Sequence, residues 1–221
     1  MSNIERNLIP NSEAGKPVQP IEITSATGRV RLKQYTPADA EEGFALIDKN
    51  REHLSQFGDR TAAKYQTIDD FRDSIMHPNN PQRLRFGIRR DGQLVGTINL
   101  TPDEDNSKRG EIGYYLGAEF QRQGNMRAAV ELLSDFAFMN LDYEELYAEV
   151  VDGNTASMSV LKKARYTFEE KRGDKLIMVK HKPKLRDDSR RQPESAHAVD
   201  QAYGLIHSNS AYGENNTNSG E

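Results

Sequence analysis

Two rhythms of apolar spacing divide this chain. Ile21–Ser25 and Arg29–Tyr35, on either side of Ala26-Thr27-Gly28, show the period of two expected of strands, with Val30 and Leu32 on one face. Thr36-Pro37 then opens a helix: Thr36 is the N-cap, Pro37 takes the first helical position, and Asp39 and Glu41 fall in the first turn. Ala40, Phe44, Ile47, Leu54 and Phe57 share one helical face, so this helix is expected to run to about Gly58. Thr67-Ile68-Asp69-Asp70 caps a second, shorter helix that ends before Pro78.

The rhythm returns to two in Leu84–Arg90 and Gln93–Leu100, which flank Asp91-Gly92, a pair that favours a tight hairpin turn. After a polar loop from Asp103 to Arg109, Glu111–Leu116 reads as a strand. Asn125 to Asn140 is a helix with Met126, Ala129, Val130, Leu133, Phe136 and Ala137 inward. Leu146–Val151 is a buried strand, Asn154 to Ala164 a helix, and Tyr166–Lys171 with Lys175–His181 a last hairpin around Gly173-Asp174. The order β-β-α-α-β-β-β-α-β-α-β-β, without internal repeats, predicts an α/β (α+β) domain: a mixed sheet with helices on its faces.

Composition changes this picture at the ends. Only 35% of the 221 residues are hydrophobic, against about 45–50% apolar in globular domains with Gly counted. Residues 1–20 carry Pro10, Pro17 and Pro20 and no periodicity, and residues 182–221 are rich in Ser, Asn and charge. Such segments bury too little apolar surface to offset the entropy of ordering, so a disordered N-terminal arm (1–20) and a disordered polar C-terminal tail (182–221) are expected. Within the tail, Glu194 to His207 could form a weak helix with Val199, Tyr203 and Ile206 on one side. Residues 21–181 remain as one domain.

Charge and cysteine content exclude whole classes of function. The chain has no Cys, which removes disulfide frameworks, thiolate zinc sites, iron–sulfur clusters and cysteine nucleophiles. Its net charge of -4 argues against non-specific nucleic-acid binding. No apolar run approaches the roughly 18 residues of a membrane span, and Met1 to Arg6 lack the order of a signal peptide. His53, His77, His181, His197 and His207 show no metal-ligand spacing. The expectation is a cytoplasmic protein with no metal, nucleic-acid or membrane partner. Whether it is a monomer or a homodimer is left open.

The stretch richest in chemistry is Glu111-Ile112-Gly113-Tyr114-Tyr115-Leu116, followed by Gln121-Arg122-Gln123-Gly124-Asn125-Met126 at the head of a helix. A strand, a turn with Gly124 and a helix N-terminus gather backbone N–H donors at one point, an arrangement suited to a phosphate or pyrophosphate. Gly124 lets the backbone approach an anion, and Arg122 and Arg127 flank the turn. The same residues also describe an ordinary strand-to-helix connection.

Four segments in order resemble the GNAT N-acetyltransferase superfamily. Gln121-x-x-Gly124-x-Met126 is similar to its acyl-CoA pyrophosphate loop. Arg29-Val30-Arg31-Leu32-Lys33-Gln34-Tyr35 resembles its first strand. Asn50 to Phe57 and Asn154-Thr155-Ala156-Ser157 resemble segments of the RimJ/RimL-like branch. The match spans roughly residues 28–181. Departures are Arg122 where many relatives carry Gly, Met126 in place of Gly or Ala, Arg165-Tyr166 in place of Gly-Phe, and a short terminal hairpin.

The resemblance implies a twisted, mostly antiparallel sheet of about seven strands flanked by helices. It also implies acetyl-CoA as co-substrate and direct transfer of an acetyl group to a primary amine. The acceptor would be a protein N-terminal α-amine or a small-molecule amine such as a polyamine, an aminoglycoside or an amino-acid-like amine. A non-catalytic CoA-binding module is the other alternative. On this reading the pantetheine arm lies along Tyr115-Leu116, with an N–H near Leu116 facing the thioester carbonyl. The amides of Gln121, Arg122, Gln123, Gly124, Asn125, Met126 and Arg127 hold the pyrophosphate, Asn154 contacts CoA, and the Ser157 hydroxyl returns a proton to the thiolate. Asn154 is equally suited to be a helix N-cap. Glu111, on the face shared with Gly113 and Tyr115, is the first candidate for general base, and Glu149 the second. Gly113 is open to two readings, a bulge in this strand or a packing choice.

Overall fold

The computed structural model describes residues 19–184. The expectations for the arm up to residue 18 and for the tail from 185, with its short helix over 194–207, lie outside the described residues. The chain divides into two units, Met1–Lys182 and Pro183–Glu221, and the elements below all belong to the first.

In chain order these are β1 (Glu22–Thr24), β2 (Val30–Gln34), α1 (Ala40–Lys49), α2 (Arg51–Leu54), α3 (Thr61–Lys64), α4 (Ile68–Met76), β3 (Leu84–Arg90), β4 (Gln93–Pro102), β5 (Arg109–Leu116), α5 (Asn125–Asn140), β6 (Glu145–Val151), α6 (Thr155–Lys163), β7 (Thr167–Arg172) and β8 (Lys175–His181). All eight strands form one sheet in the order β1-β2-β3-β4-β5-β6-β8-β7, one more strand than the resemblance implied. Every neighbouring pair is antiparallel except β5 with β6. None of the helices in the described residues is long and apolar enough to cross a membrane.

The sheet separates two hydrophobic layers. On one face Leu32, Phe86, Ile98, Ile112, Leu146 and Met178 pack beneath Ala129, Val130, Leu133 and Ala137 of α5. On the other, Tyr35 and Leu94 meet Ile47 of α1 and Phe71 of α4. A fully buried side chain of this size contributes about 1.5–3 kcal/mol. Gly43 makes the second layer possible, because a Cβ there would stand 2.4 Å from Cε1 of the Phe71 ring.

The long helix expected to reach Gly58 is instead two helices. Asn50, at φ −116° and ψ 18°, interrupts it. Its Nδ2 donates to the Leu46 carbonyl at 2.9 Å and its Oδ1 accepts the Ala118 N–H at 2.8 Å. Apolar spacing does not register this break, since Leu54 is still buried after it, but Phe57 ends up half exposed at φ +54°. The Thr67 cap is as expected, with Oγ1 accepting from the Asp70 N–H at 3.1 Å while Asp70 Oδ2 accepts from the Thr67 N–H at 2.9 Å. Asp91 and Gly92 both have positive φ, the conformation a two-residue hairpin turn requires.

Gly113 does not mark a bulge. The β4–β5 register runs unbroken from Gly110 to Leu116. The irregularity lies on the other side of β4, where Ile88 pairs with Gly96 and Arg89 with Leu94, leaving Val95 without a partner.

Candidate active site

β5 and β6 pair only over Arg109–Glu145, Gly110–Leu146 and Glu111–Tyr147, and then part. Which backbone groups this leaves free follows from the ladder. Asp103 N–H reaches the Arg109 carbonyl at 3.0 Å and Gly117 N–H the Val95 carbonyl at 3.0 Å. By antiparallel alternation, odd-numbered residues of β5 therefore bond back to β4, while Ile112, Tyr114 and Leu116 turn their N–H and C=O groups toward β6. The Ile112 N–H closes the last rung, on Tyr147, and beyond it no strand among the described residues meets the Ile112 carbonyl or the backbone of Tyr114 and Leu116. The result is a slot in the sheet lined by free amides, able to pair with an extended amide-bearing chain. Leu116 faces this slot as expected. Tyr115 does not, because its backbone belongs to β4 and its side chain packs on the opposite face with Tyr35 and Leu94.

At the end of β5 the chain turns into α5. Arg122 and Gly124 both adopt left-handed φ, +58° and +80°. Nothing lies within 4 Å of where a Gly124 Cβ would sit, so the approach is open. The first α-helical bond is Ala128 N–H to the Gly124 carbonyl at 3.0 Å, which leaves the amides of Asn125, Met126 and Arg127 without intrahelical acceptors. Six side chains divide between bracing and charge. Arg90, at the end of β3, donates to the side chains of Gln123 and Asn125, and Asn125 Nδ2 donates to the Phe120 carbonyl at 2.9 Å. The Met126 side chain is buried in the α5 layer, so only its amide reaches the turn. Gln121 Nε2 lies 2.8 Å from Nε2 of His53 and faces α2. Arg122 is exposed, and exposed Arg127 pairs with Glu131 one turn on.

Across the slot stands the N-terminus of α6. Asn154 Oδ1 accepts the Ser157 N–H at 3.1 Å, so Asn154 is the N-cap of this helix. Ser157 Oγ lies 2.9 Å from the Tyr114 hydroxyl. Tyr114 is a β5 residue turned to the α5–α6 face, and burial pushes its hydroxyl up to about 12, against the opposing pull of the Ser157 hydrogen bond. At neutral pH this hydroxyl is a proton donor in reach of Ser157. The sequence did not connect Tyr114 with Ser157, 43 positions along the chain; the fold brings the two hydroxyls together.

On the other face, Glu111 sits where β5 and β6 separate, opposite Tyr147. Burial raises its carboxyl above the usual carboxylate range, and the Glu149 carboxylate two positions along β6 raises it further. Glu149 is engaged in an ion pair with Lys175. Of the two candidate bases, Glu149 is tied to Lys175, whereas Glu111, whose proton affinity burial raises, has no ion-pair partner among the described residues, which suits it to accept a proton.

Two further ties were not visible in sequence. Asn50 holds the segment after β5 through Ala118, and Lys49 pairs with Glu119. With His53 and Gln121 they fasten α1 and α2 to the turn that precedes α5. Arg165 carries φ +68°, and Tyr166 after it is buried with its hydroxyl 2.9 Å from Ser134 Oγ.

The acetyltransferase (GNAT) domain family matches residues 29–167. A Bacillus subtilis protein named Probable N-acetyltransferase YjcK is 31% identical over 156 residues, covering 67% of this chain and 78% of its own length. Among solved structures, the ribosomal-protein-S5-alanine acetyltransferase from Vibrio fischeri superposes with a TM-score of 0.65 at 18% identity, covering 75% of this chain and 99% of that one. The RimL ribosomal L7/L12 α-N-protein acetyltransferase solved with coenzyme A gives 0.64 at 19%, covering 72% and 97%. Sequence and fold agree, and the chain belongs to the GNAT acetyltransferase family as an N-acetyltransferase, a membership that implies acetyl-CoA as the acetyl donor.

Proposed function

We propose that this enzyme transfers the acetyl group directly to a primary amine, with a protein N-terminal α-amine as the leading acceptor class. The observation that carries direct transfer is the arrangement of proton-handling groups on opposite faces of the slot: Glu111 on one, Ser157 with Tyr114 on the other. The Ile112 carbonyl and the free backbone groups of Tyr114 and Leu116 pair with the pantetheine arm, and the turn from Arg122 to Arg127 takes the pyrophosphate. The Leu116 N–H faces the thioester carbonyl and stabilises the oxyanion as it forms.

Glu111 takes a proton from the ammonium form of the acceptor, freeing the lone pair for attack on the carbonyl carbon. As the tetrahedral intermediate collapses the C–S bond breaks, Ser157, itself hydrogen-bonded to Tyr114, gives its proton to the departing thiolate, and the second proton that the nitrogen sheds restores the Ser157 hydroxyl through solvent, so that the one net proton released is the one on Glu111. The chain has no Cys, in keeping with a route that forms no cysteine acyl-enzyme. A protein acceptor is favoured by the fold shared with ribosomal-protein acetyltransferases.

The test is turnover. The protein is incubated with acetyl-CoA and, separately, peptides with free N-termini, the same peptides N-terminally blocked, spermidine and an aminoglycoside, and free thiol is followed alongside product mass. Thiol release with a one-acetyl mass gain on the free-N-terminus peptides, and none on blocked ones, is expected. Faster turnover of spermidine or the aminoglycoside would move the acceptor to the small-molecule class.

A further inference from the structure

On the α1–α4 face, a carboxylate and a guanidinium stand at the two ends of one row across the sheet. Thr101 of β4 pairs with Glu111 of β5, and Leu84, the first residue of β3, pairs with Leu100. One step back along the chain brings Arg83 level with Thr101, on the face it shares with Arg85 two residues on. The Arg83 and Glu111 backbones are thus two strand spacings apart, roughly 10 Å. The turn ahead of β3 holds Arg83 there, its N–H donating to the Asn80 carbonyl at 3.1 Å.

Glu111 and Arg83 attract one another through space without closing to an ion pair. Arg83 is exposed, and its guanidinium has neither an ion pair nor a hydrogen bond among the described residues. Every arginine within β2 to β5 is engaged by contrast. Arg85 donates to Ser74 Oγ at 2.8 Å, and Arg31, Arg89, Arg90 and Arg109 each pair with a carboxylate. Neighbouring atoms that strip water from the Arg83 guanidinium, and the Arg85 charge beside it, lower its proton affinity, while Tyr65 and Glu111 pull the other way. It still carries its charge at neutral pH. A cation so placed gains from an anion that the fold does not supply. The remaining carboxylates near Glu111 are committed elsewhere: Glu149 to Lys175, and Asp103 Oδ1 to the N–H groups of Asp105 and Asn106 at 3.0 Å.

We infer that Arg83 is a specificity residue for acceptors that carry a carboxylate within about 10 Å of the reacting amine, the amine at Glu111 and the carboxylate on the guanidinium. This rests on the acetyl-transfer reading above and names the acceptor's chemistry. The matching ligand is dipolar, as the row is. An extended peptide advances about 3.4 Å per residue, so an acidic second or third residue behind a free N-terminus reaches Arg83. A free amino acid brings its own carboxylate instead. A polycation such as spermidine offers no anion, and its distal ammonium would meet the charge of Arg83.

The test is calorimetry of acceptors on the CoA-loaded protein, with acceptor KM as a second readout. Two matched pairs are compared: peptides with free N-termini that carry Glu or Gln at positions two and three, and alanine against alaninamide. The carboxylate member of a pair should bind roughly tenfold more tightly, and the pair that shows this tells a side-chain carboxylate from an amino acid's own. Arg83→Ala should bring that ratio close to one, and Arg83→Lys should keep part of it. Arg83→Glu should turn the preference toward a peptide with Lys at those positions. CoA Kd and melting temperature should hold in all three, because Arg83 is exposed and lies apart from the turn before α5. Added salt should shrink the preference of the unaltered protein and leave Arg83→Ala unmoved, which a merely structural role would not produce. No preference in either pair, or one that survives in Arg83→Ala, overturns the inference. Failure of the acetyl-transfer reading shows separately, as absence of thiol release by the unaltered enzyme with every amine, and the binding preference is read whether or not thiol is released.

Discussion

Glu111 pays for its position in stability, and the sign can be worked out. Its folded carboxyl holds a proton more tightly than it would in the unfolded chain, because burial and the Glu149 carboxylate disfavour its anion. Ionised Glu111 therefore destabilises the fold at neutral pH, and the penalty is relieved as pH falls through the raised value. Glu111→Gln should melt higher than the parent at pH 7, with the difference shrinking on acidification. The same variant should lose the acid limb of the kcat/KM profile and about 10²–10⁴ in rate if Glu111 is the base. A parent profile that stays flat down to the ordinary carboxylate range would remove Glu111 from the mechanism. Ser157→Ala belongs to the same scale: kcat should fall while CoA affinity holds, because Asn154 still caps the Ser157 backbone N–H rather than its side chain.

How legible these residues were in the sequence depended on what each contributes. Glu111 could be placed because strand alternation fixes its face relative to Gly113 and Tyr115. Arg83 could not, because its neighbours across the sheet, Thr101 and Glu111, are set by strand pairing, which alternation does not report. Tyr115 was misplaced for a related reason: alternation assigns side chains to faces, while the slot is lined by backbone groups, whose direction depends on which neighbour the strand pairs with.

At the scale of elements, the turn between β5 and α5 is where backbone conformation matters most. Gly124 at φ +80° with open space beyond it serves two ends, a conformation that costs L residues about 1–2 kcal/mol and an unobstructed approach for an anion. Asp and Asn both visit this conformation, so Gly124→Asp and Gly124→Asn should strain the turn alike but differ in charge. CoA affinity should fall at least tenfold further for Asp than for Asn by calorimetry, a difference of roughly 1.4 kcal/mol. Equal Kd values would show that no phosphate sits at this turn. The capped starts of α4 and α6 and the whole extent of α5 were readable from sequence, because caps and helical spacing are local. The break at Asn50 was not, since it is held by Ala118, a residue far along the chain.

At the scale of the molecule, the parting of β5 and β6 has a consequence for survival as well as for chemistry. A continuous sheet exposes pairing groups only at its two outer strands, but this one carries a third, internal margin along Ile112 to Leu116. Such a margin is a template for any extended segment, including one from another copy of the chain. On the proposed reading, acetyl-CoA lying along it would act as a guard strand and shift the folding equilibrium by mass action, about 2.7 kcal/mol at a hundred times its Kd. For a domain of this size that corresponds to a rise of roughly 5–10 °C in melting temperature. Heated without CoA, the protein should scatter light soon after it begins to open; with CoA, both melting and scattering should move upward together. A rise in melting temperature with unchanged scattering onset would mean that aggregation starts elsewhere. If the two move together, the supply of acetyl-CoA governs how long this enzyme lasts as well as how fast it works.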